Sequence, residues 1–326
     1  MGFEEVVGNP RVKKILRLAL QKNRVPNSLL FSGPKGVGKK SLAFVLAKAI
    51  NCEREINDAC ERCSTCVAIS GRRLPDVWEI GPEGQEIKID QMRAIKQAAY
   101  LRPMVARKRV FIVDEAEKMN EPASNSLLKI LEEPPLFSHI ILLTSNPHLI
   151  LPTIKSRCQI LQFAPVGKED IRKLLAEKGY PEDKARIISL VVRGNLQEAL
   201  EVDWEEIQNK REEAWAFFLS LLGKRDSSAF LNTYAFAQRR LIREDLEKTL
   251  EILSSFCRDL MLLKERGEPA LLLNPDYAAE IKALEEAGSL EKTWDCLDRV
   301  DQVISGLEKN LNLGLLVSSF YSLMGD

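Results

Sequence analysis

The run Gly33-Pro-Lys-Gly-Val-Gly-Lys-Lys-Ser41 narrows the possible folds most, because an apolar segment, Ser28-Leu-Leu-Phe-Ser32, leads into it and a helical pattern leads out. Leu42, Val45, Leu46, Ala49 and Ile50 recur at the spacing of one helix face. A strand, a glycine-rich turn and a helix in that order make a phosphate loop. Gly33, Gly36 and Gly38 let successive amides curl round an anion, the helix start adds positive potential, and Lys39 reaches the outer phosphates of ATP or ADP. Lys40 stands where Ser or Thr ordinarily offers Mg²⁺ a hydroxyl. Ser41 is adjacent, but one helical step turns a side chain by about 100°, so it does not simply replace that ligand.

Four further apolar runs, Val77–Ile80, Val110–Val113, Ile140–Thr144 and Gln159–Phe163, alternate with helical patterns and are bracketed by Gly, Pro, Asp and Asn. That alternation predicts an α/β domain over residues 1–164, a parallel five-stranded sheet covered by helices. The third run ends in Asp114-Glu115, where Asp114 would hold Mg²⁺ and Glu115 would polarise an attacking water. Thr144-Ser145-Asn146 closes the fourth and would aim polar groups, Asn146 among them, at the terminal phosphate. Intact carboxylates argue for hydrolysis and Lys40 argues against it.

After Pro165-Val-Gly167 a short helical stretch carries Ile171, Leu174, Leu175, Ile187, Ile188 and Leu190, expected to form a small lid over residues 165–203. From 204 to 326 the chain reads as all-helical. Leu246, Leu250, Leu253, Cys257 and Leu260 form one apolar face, Trp294, Leu297, Val300, Ile304 and Leu307 a second, and a third follows from Leu311 to Met324. This is either an autonomous bundle or an oligomerising collar.

With Lys plus Arg and Asp plus Glu at 47 each, no overall field drives the chain onto DNA or an anionic membrane. Arg102, Arg107, Lys108 and Arg109 form one basic cluster, read as a solvated loop or a phosphate contact, without aromatic stacking residues nearby. Neither a signal-peptide pattern nor a membrane-length apolar run is present, so the expected compartment is the cytoplasm. Of seven cysteines, Cys52, Cys60, Cys63 and Cys66 are grouped as C-x7-C-x2-C-x2-C. In a reducing compartment that quartet suits structural Zn²⁺, with four thiolates and no open position for water; buried or redox-active thiols are the alternative. Cys158, Cys257 and Cys296 read as small apolar residues, and His139 and His148 as structural.

The phosphate loop, the cysteine quartet after its helix, Val113-Asp-Glu-Ala116, Asn125-Ser-Leu-Leu-Lys-Ile-Leu-Glu-Glu-Pro-Pro135 and Ser156-Arg-Cys158 stand in one order. In that order they resemble the bacterial sliding-clamp loaders of the AAA+ class, in particular the delta-prime type of DNA polymerase III. The likeness covers roughly the first 200 residues in sequence and the helical remainder only in architecture. It implies a nucleotide-binding domain with an inserted zinc module at 52–66, a helical lid and a collar that joins a five-subunit, hetero-oligomeric ring. Partners would be gamma/tau ATPase subunits and a delta subunit, with the sliding clamp and primed DNA as indirect ones. By the same resemblance Arg157 is an arginine finger that serves an ATP site on the adjacent subunit. Within the family, Lys40, the neutral Gln197 where the ATPases carry a phosphate-sensing arginine, and the lack of a long C-terminal extension favour a stator over a gamma/tau-like ATPase. The implied role is assembly and activation in trans, with little hydrolysis by the isolated chain. An active ATPase that uses Lys39, Asp114 and Glu115 is the alternative.

Overall fold

A computed structural model describes residues 1–54, 57–222, 240–266, 271–285 and 290–308. They fall into two compact units, one formed by Met1–Tyr180 with Val192–Leu200, the other by Pro181–Val191 with the chain from Glu201 onward.

In the first unit the five apolar runs form the strands β1 (Ser28–Ser32), β2 (Val77–Ile80), β3 (Arg109–Val113), β4 (Ser138–Thr144) and β5 (Gln159–Gln162). All pair in parallel, in the order β2-β3-β4-β1-β5. The residues of β1, β3 and β4 are buried throughout, as expected of strands covered on both faces. Leu30, Phe111, Val113, Ile140 and Leu142 share one core with helices α4 (Ile89–Ala99) and α5 (Glu121–Glu132). Residues of opposite parity, such as Leu29, Phe31, Ile141 and Leu143, are equally buried, and Phe31 meets Phe163 at 5.2 Å between ring centroids. Helix α2 (Lys39–Asn51) buries Leu42, Val45, Leu46 and Ala49, the face expected from its spacing.

Two strands begin earlier than the apolar runs suggest, and the reason is buried polar pairing. Arg109 belongs to β3 and is 5% exposed; its Nη1 donates to the Ala98 carbonyl at 3.2 Å and its Nε lies 3.3 Å from Asp76 Oδ1. Arg109 therefore leaves the basic surface cluster. Asp76 is fully buried and accepts from the amides of Met104, Val105 and Ala106 at 2.7–3.0 Å, which fixes the turn into β3.

Ser138 and His139 likewise extend β4 inward. His139 is buried, its Nδ1 3.1 Å from the Pro26 carbonyl, and burial holds the imidazole down to about 4. A carbonyl only accepts, so the neutral ring donates from Nδ1. The folded pKa lies below the ordinary one, so the folded state binds fewer protons. Its contribution, on the order of 3 kcal/mol, is present above about pH 6.5 and lost as pH falls toward 4. His139→Asn, which retains a donor, should flatten the fall of the urea midpoint across that window; an unchanged slope would assign the pH dependence to other groups.

In the second unit, α8 (Glu182–Val191), α10 (Trp204–Leu221), α11 (Arg240–Arg266), α12 (Ala278–Glu285) and α13 (Leu290–Glu308) surround one core. Leu246, Leu250, Leu253, Cys257 and Leu260 are all buried in it, the face their spacing marks. On α13, Val300 is buried and Leu297 and Ile304 pack against the core, whereas Trp294 is 54% exposed. The segment Leu311 to Met324 lies outside the described residues. Buried Arg211 donates to both carboxylate oxygens of Asp276, at 2.6 and 2.8 Å, and to Asn274 at 3.0 Å, while Asn274 donates to fully buried Asp259. This network clips the turn at 274–277 to α10 and α11. Among the described residues no helix is long and apolar enough to cross a membrane.

Candidate nucleotide cleft and arginine loop

Sheet order builds the site. Because β4 lies between β1 and β3, the C-terminal ends of three neighbouring strands emerge side by side: Ser32 into the phosphate loop, Val113 into Asp114, and Thr144 into Ser145. Ligands of open α/β sheets bind at this edge. A cleft of about 780 Å³ opens here, bordered by the phosphate loop, Asp114, Glu115, Glu117, Thr144, Ser145 and Gln197.

The loop's glycines are required by space as well as by backbone angle. Gly36 has φ +69°, and a Cβ there would come within 1.5 Å of the Asn195 side chain; one at Gly33 would come within 2.4 Å of the Phe163 carbonyl. The Gly36 carbonyl accepts from the amides of Leu196 and Gln197 at 2.9 and 3.3 Å, so the Gly194–Gln197 turn is docked on the loop. This contact brings Gln197 to the cleft, where the family resemblance places it. Lys39 Nζ donates to the carbonyls of Gly33 and Pro34 at 2.6 and 2.5 Å. Burial holds its ammonium down to about 8, although Glu117 and Asp114 oppose the shift.

Lys40 points to the carboxylates. Its Nζ lies 3.0 Å from Asp114 Oδ2 and also pairs with Glu79 of β2, which Arg72 engages from its other side. Burial favours the neutral amine, but the hydrogen bonds to Glu79 and Asp114 outweigh it and raise the pKa. The ammonium persists. Mg²⁺, which the phosphate-loop and Asp-Glu motifs imply beside Asp114, does not fit this arrangement: an ammonium already holds the carboxylate, and the loop's last position lacks the hydroxyl. Ser41 is exposed at the rim of the same cleft.

Glu115 adopts φ +50° and pairs with Lys118. Glu117, outside the motifs considered in the sequence, accepts from Ser145 N at 3.1 Å and Ser145 Oγ at 2.5 Å. Burial works to raise its pKa, yet these donors outweigh it and keep the carboxyl ionised. Asn146 turns its Oδ1 to the His148 amide at 3.2 Å, capping the next turn, and Thr144 and Ser145 border the cleft instead. The sequence holds a faint signal for Glu117, the fourth residue of Asp-Glu-Ala-Glu. It holds none for Glu79.

Arg157 does not border this cleft. It sits between the short helix α6 (Pro152–Lys155) and β5, with 31% of its side chain exposed. Nε and Nη2 each donate to Glu132 Oε2 at 3.0 Å, and Nη1 donates to the Thr153 carbonyl at 3.1 Å. Glu132 ends α5 within Leu-Glu-Glu-Pro-Pro and is itself 58% exposed. Such an exposed pair holds an orientation with little energy, about 0–1 kcal/mol, so the guanidinium is positioned yet readily transferred to a stronger anion.

The Cys52, Cys60, Cys63 and Cys66 sulfurs lie within 4.8 Å of one another, three of the residues being buried. Tetrahedral Zn²⁺ with bonds near 2.3 Å needs sulfurs about 3.8 Å apart, so the quartet fits the ion after a small contraction. The amides of Cys63 and Cys66 donate to the sulfurs of Cys60 and Cys63 at 3.3 and 3.4 Å. Cys257 is buried; Cys158 is half-buried, and burial pushes its thiol up to about 12. The Cys296 side chain lies outside the described residues.

Comparison with known proteins gives the family. The family described as DNA polymerase III, delta subunit, matches residues 8–167. DNA polymerase III subunit delta' of Bacillus subtilis is 32% identical over 269 residues, covering 81% of this chain and 80% of that protein. Subunit tau of the same organism is 37% identical over 209 residues, covering 61% of this chain and 36% of tau. A gamma subunit-related protein of Thermotoga maritima aligns over 96% of this chain and 98% of that one at 19% identity and a TM-score of 0.41. The chain therefore belongs to the clamp-loader family of DNA polymerase III, which includes the delta-prime and gamma/tau subunits.

Proposed function

We propose that this chain is the delta-prime-type stator of a sliding-clamp loader, assembling with gamma/tau ATPase subunits and a delta subunit and offering Arg157 to an ATP site on its neighbour. One observation carries the reading: Arg157 is held at the surface, away from the chain's own cleft, by an exposed carboxylate that gives it up cheaply. Charge developing on a transferring phosphoryl group is the stronger acceptor, and an arginine supplied in trans contributes about 10³- to 10⁵-fold where it operates. The pairing of Lys40 with Asp114 and of Glu115 with Lys118 supports weak or absent hydrolysis at the chain's own site. Structural Zn²⁺ at the cysteine quartet completes the reading, with the helices of the second unit serving as the collar.

In a loader reconstituted from this chain, gamma/tau and delta, Arg157→Ala should fold normally and remove the turnover of the ATP site it serves, about 10³-fold or more at that site. Steady-state ATPase and clamp placement on primed DNA would both report it. An unchanged rate would remove the trans role. The second reading, a gamma/tau-like motor, is favoured by the match to tau and by the retained Asp114-Glu115 pair. ATP turnover by the isolated chain at ordinary enzyme rates would select it.

A further inference from the structure

We infer that Lys40 is a tethered counter-ion that takes the place of Mg²⁺, so that the cleft binds a nucleoside di- or triphosphate without a divalent cation. The two lysines that open α2 diverge by one helical step, about 100°. Lys39 turns to the carbonyls of its own loop, whereas Lys40 turns across the sheet edge to Glu79 at the end of β2 and Asp114 after β3. A hard divalent ion needs carboxylate oxygens open to coordination. Here Asp114 is held by an ammonium 3.0 Å away, and Glu79 is shared between Lys40 and Arg72. Two negative charges thus face two fixed positive ones. A metal entering beside Asp114 would have to displace Lys40 or meet its charge at short range, with only a partly solvated carboxylate to offset the repulsion.

The ammonium is also suited to meet phosphate. Lys40 borders the cleft with 45% of its side chain exposed. Of its three N–H donors, pairing with Glu79 and Asp114 occupies two, which leaves one for a phosphate oxygen. Anion binding at this helix start then draws on the loop amides, Lys39 and Lys40. The consequence is a nucleotide site whose occupancy is uncoupled from magnesium, unlike the metal-dependent sites that Arg157 would serve in neighbours.

The experiment compares dissociation constants of ATP and ADP for the full-length chain in EDTA and in excess magnesium chloride, by titration calorimetry. For the unaltered protein, magnesium should tighten either nucleotide by less than about fivefold, below the usual range of coupling between linked sites. Lys40→Thr should create coupling above about fivefold, and Lys40→Met should weaken ATP in EDTA by about fivefold or more with no rescue by magnesium. Tightening of the unaltered protein beyond that limit, failure to bind either nucleotide in both buffers, or a Thr variant still indifferent to magnesium would each overturn the inference. The unaltered protein alone decides the matter if the variants fail to fold. Arg157 plays no part in these measurements, so a negative result here leaves the trans reading standing, and the converse holds.

Discussion

Purified under reducing conditions, the chain is expected to carry stoichiometric Zn²⁺, and stripping it with a thiol-reactive mercurial should melt the segment around residues 52–70. The magnitude follows from how much of that module's own buried cluster the cysteines supply. Among the described residues its local buried cluster consists of Cys52, Ala59, Cys63 and Cys66, with Cys60 packed against it, so cysteines make up most of that cluster. Small modules of this kind depend on a metal, whose apparent binding free energy is about 10–16 kcal/mol in zinc-finger peptides. Polar contacts add some order: Glu53 accepts from Ser64 Oγ at 2.7 Å and Thr65 Oγ1 at 2.5 Å, and Cys63 caps α3 (Ser64–Ser70). The Glu53 contacts are exposed or half-buried, and only the Cys63 cap is buried. Hydrogen exchange across the module should therefore rise sharply on metal loss or in Cys66→Ser. The phosphate loop opens the far end of α2, about 20 Å away at 1.5 Å per residue, and should remain protected. A metal-free preparation with unchanged protection would show that the quartet packs as ordinary thiols.

Asp76→Ala should destabilise the first unit by about 3–5 kcal/mol, the range for removing one partner of a buried ion pair. Three amides, those of Met104, Val105 and Ala106, would lose their acceptor, and Arg109 would be left buried beside a methyl group. Each orphaned donor costs about 1–3 kcal/mol unless water reaches it. Burial works to raise the Asp76 pKa, but the amides of Ala106, Val105 and Met104, followed by Arg109, outweigh it and hold the carboxyl below its ordinary range. Its contribution is accordingly present at neutral pH and lost as pH falls through that depressed value. Urea unfolding at neutral pH measures the loss directly. A change below about 1 kcal/mol would mean that water reaches these groups and that the turn does not rely on the carboxylate.

Much of this architecture could be read from the residues. The five strands lie within one or two residues of their apolar runs because a short continuous apolar run and its Gly or Asn punctuation act over a few bonds. The face of α11 from Leu246 to Leu260 is buried as its spacing requires. Arg109 misled for a physical reason: a cation at the head of an apolar run looks solvated until its buried partner, Asp76, 33 positions earlier, is known. Asn146 closes β4 as its position after the apolar run suggests, and there its oxygen accepts from the His148 amide, a capping role that a short polar side chain after a strand is equally able to take.

What the string of residues sets on its own is local: a glycine-rich turn between strand and helix, a carboxylate pair closing an apolar run, four cysteines near enough to share an ion. These depend on steric permission, amide geometry and short spacings. Folding in three dimensions was needed to place β4 between β1 and β3, so that three strand ends converge, and to bring Glu79 and Asp114 to Lys40, Gln197 to Gly36, and Glu132 to Arg157. Such meetings join residues 25 to 161 positions apart, and the energy that selects them comes from burying both faces of one sheet, which no short window of sequence contains.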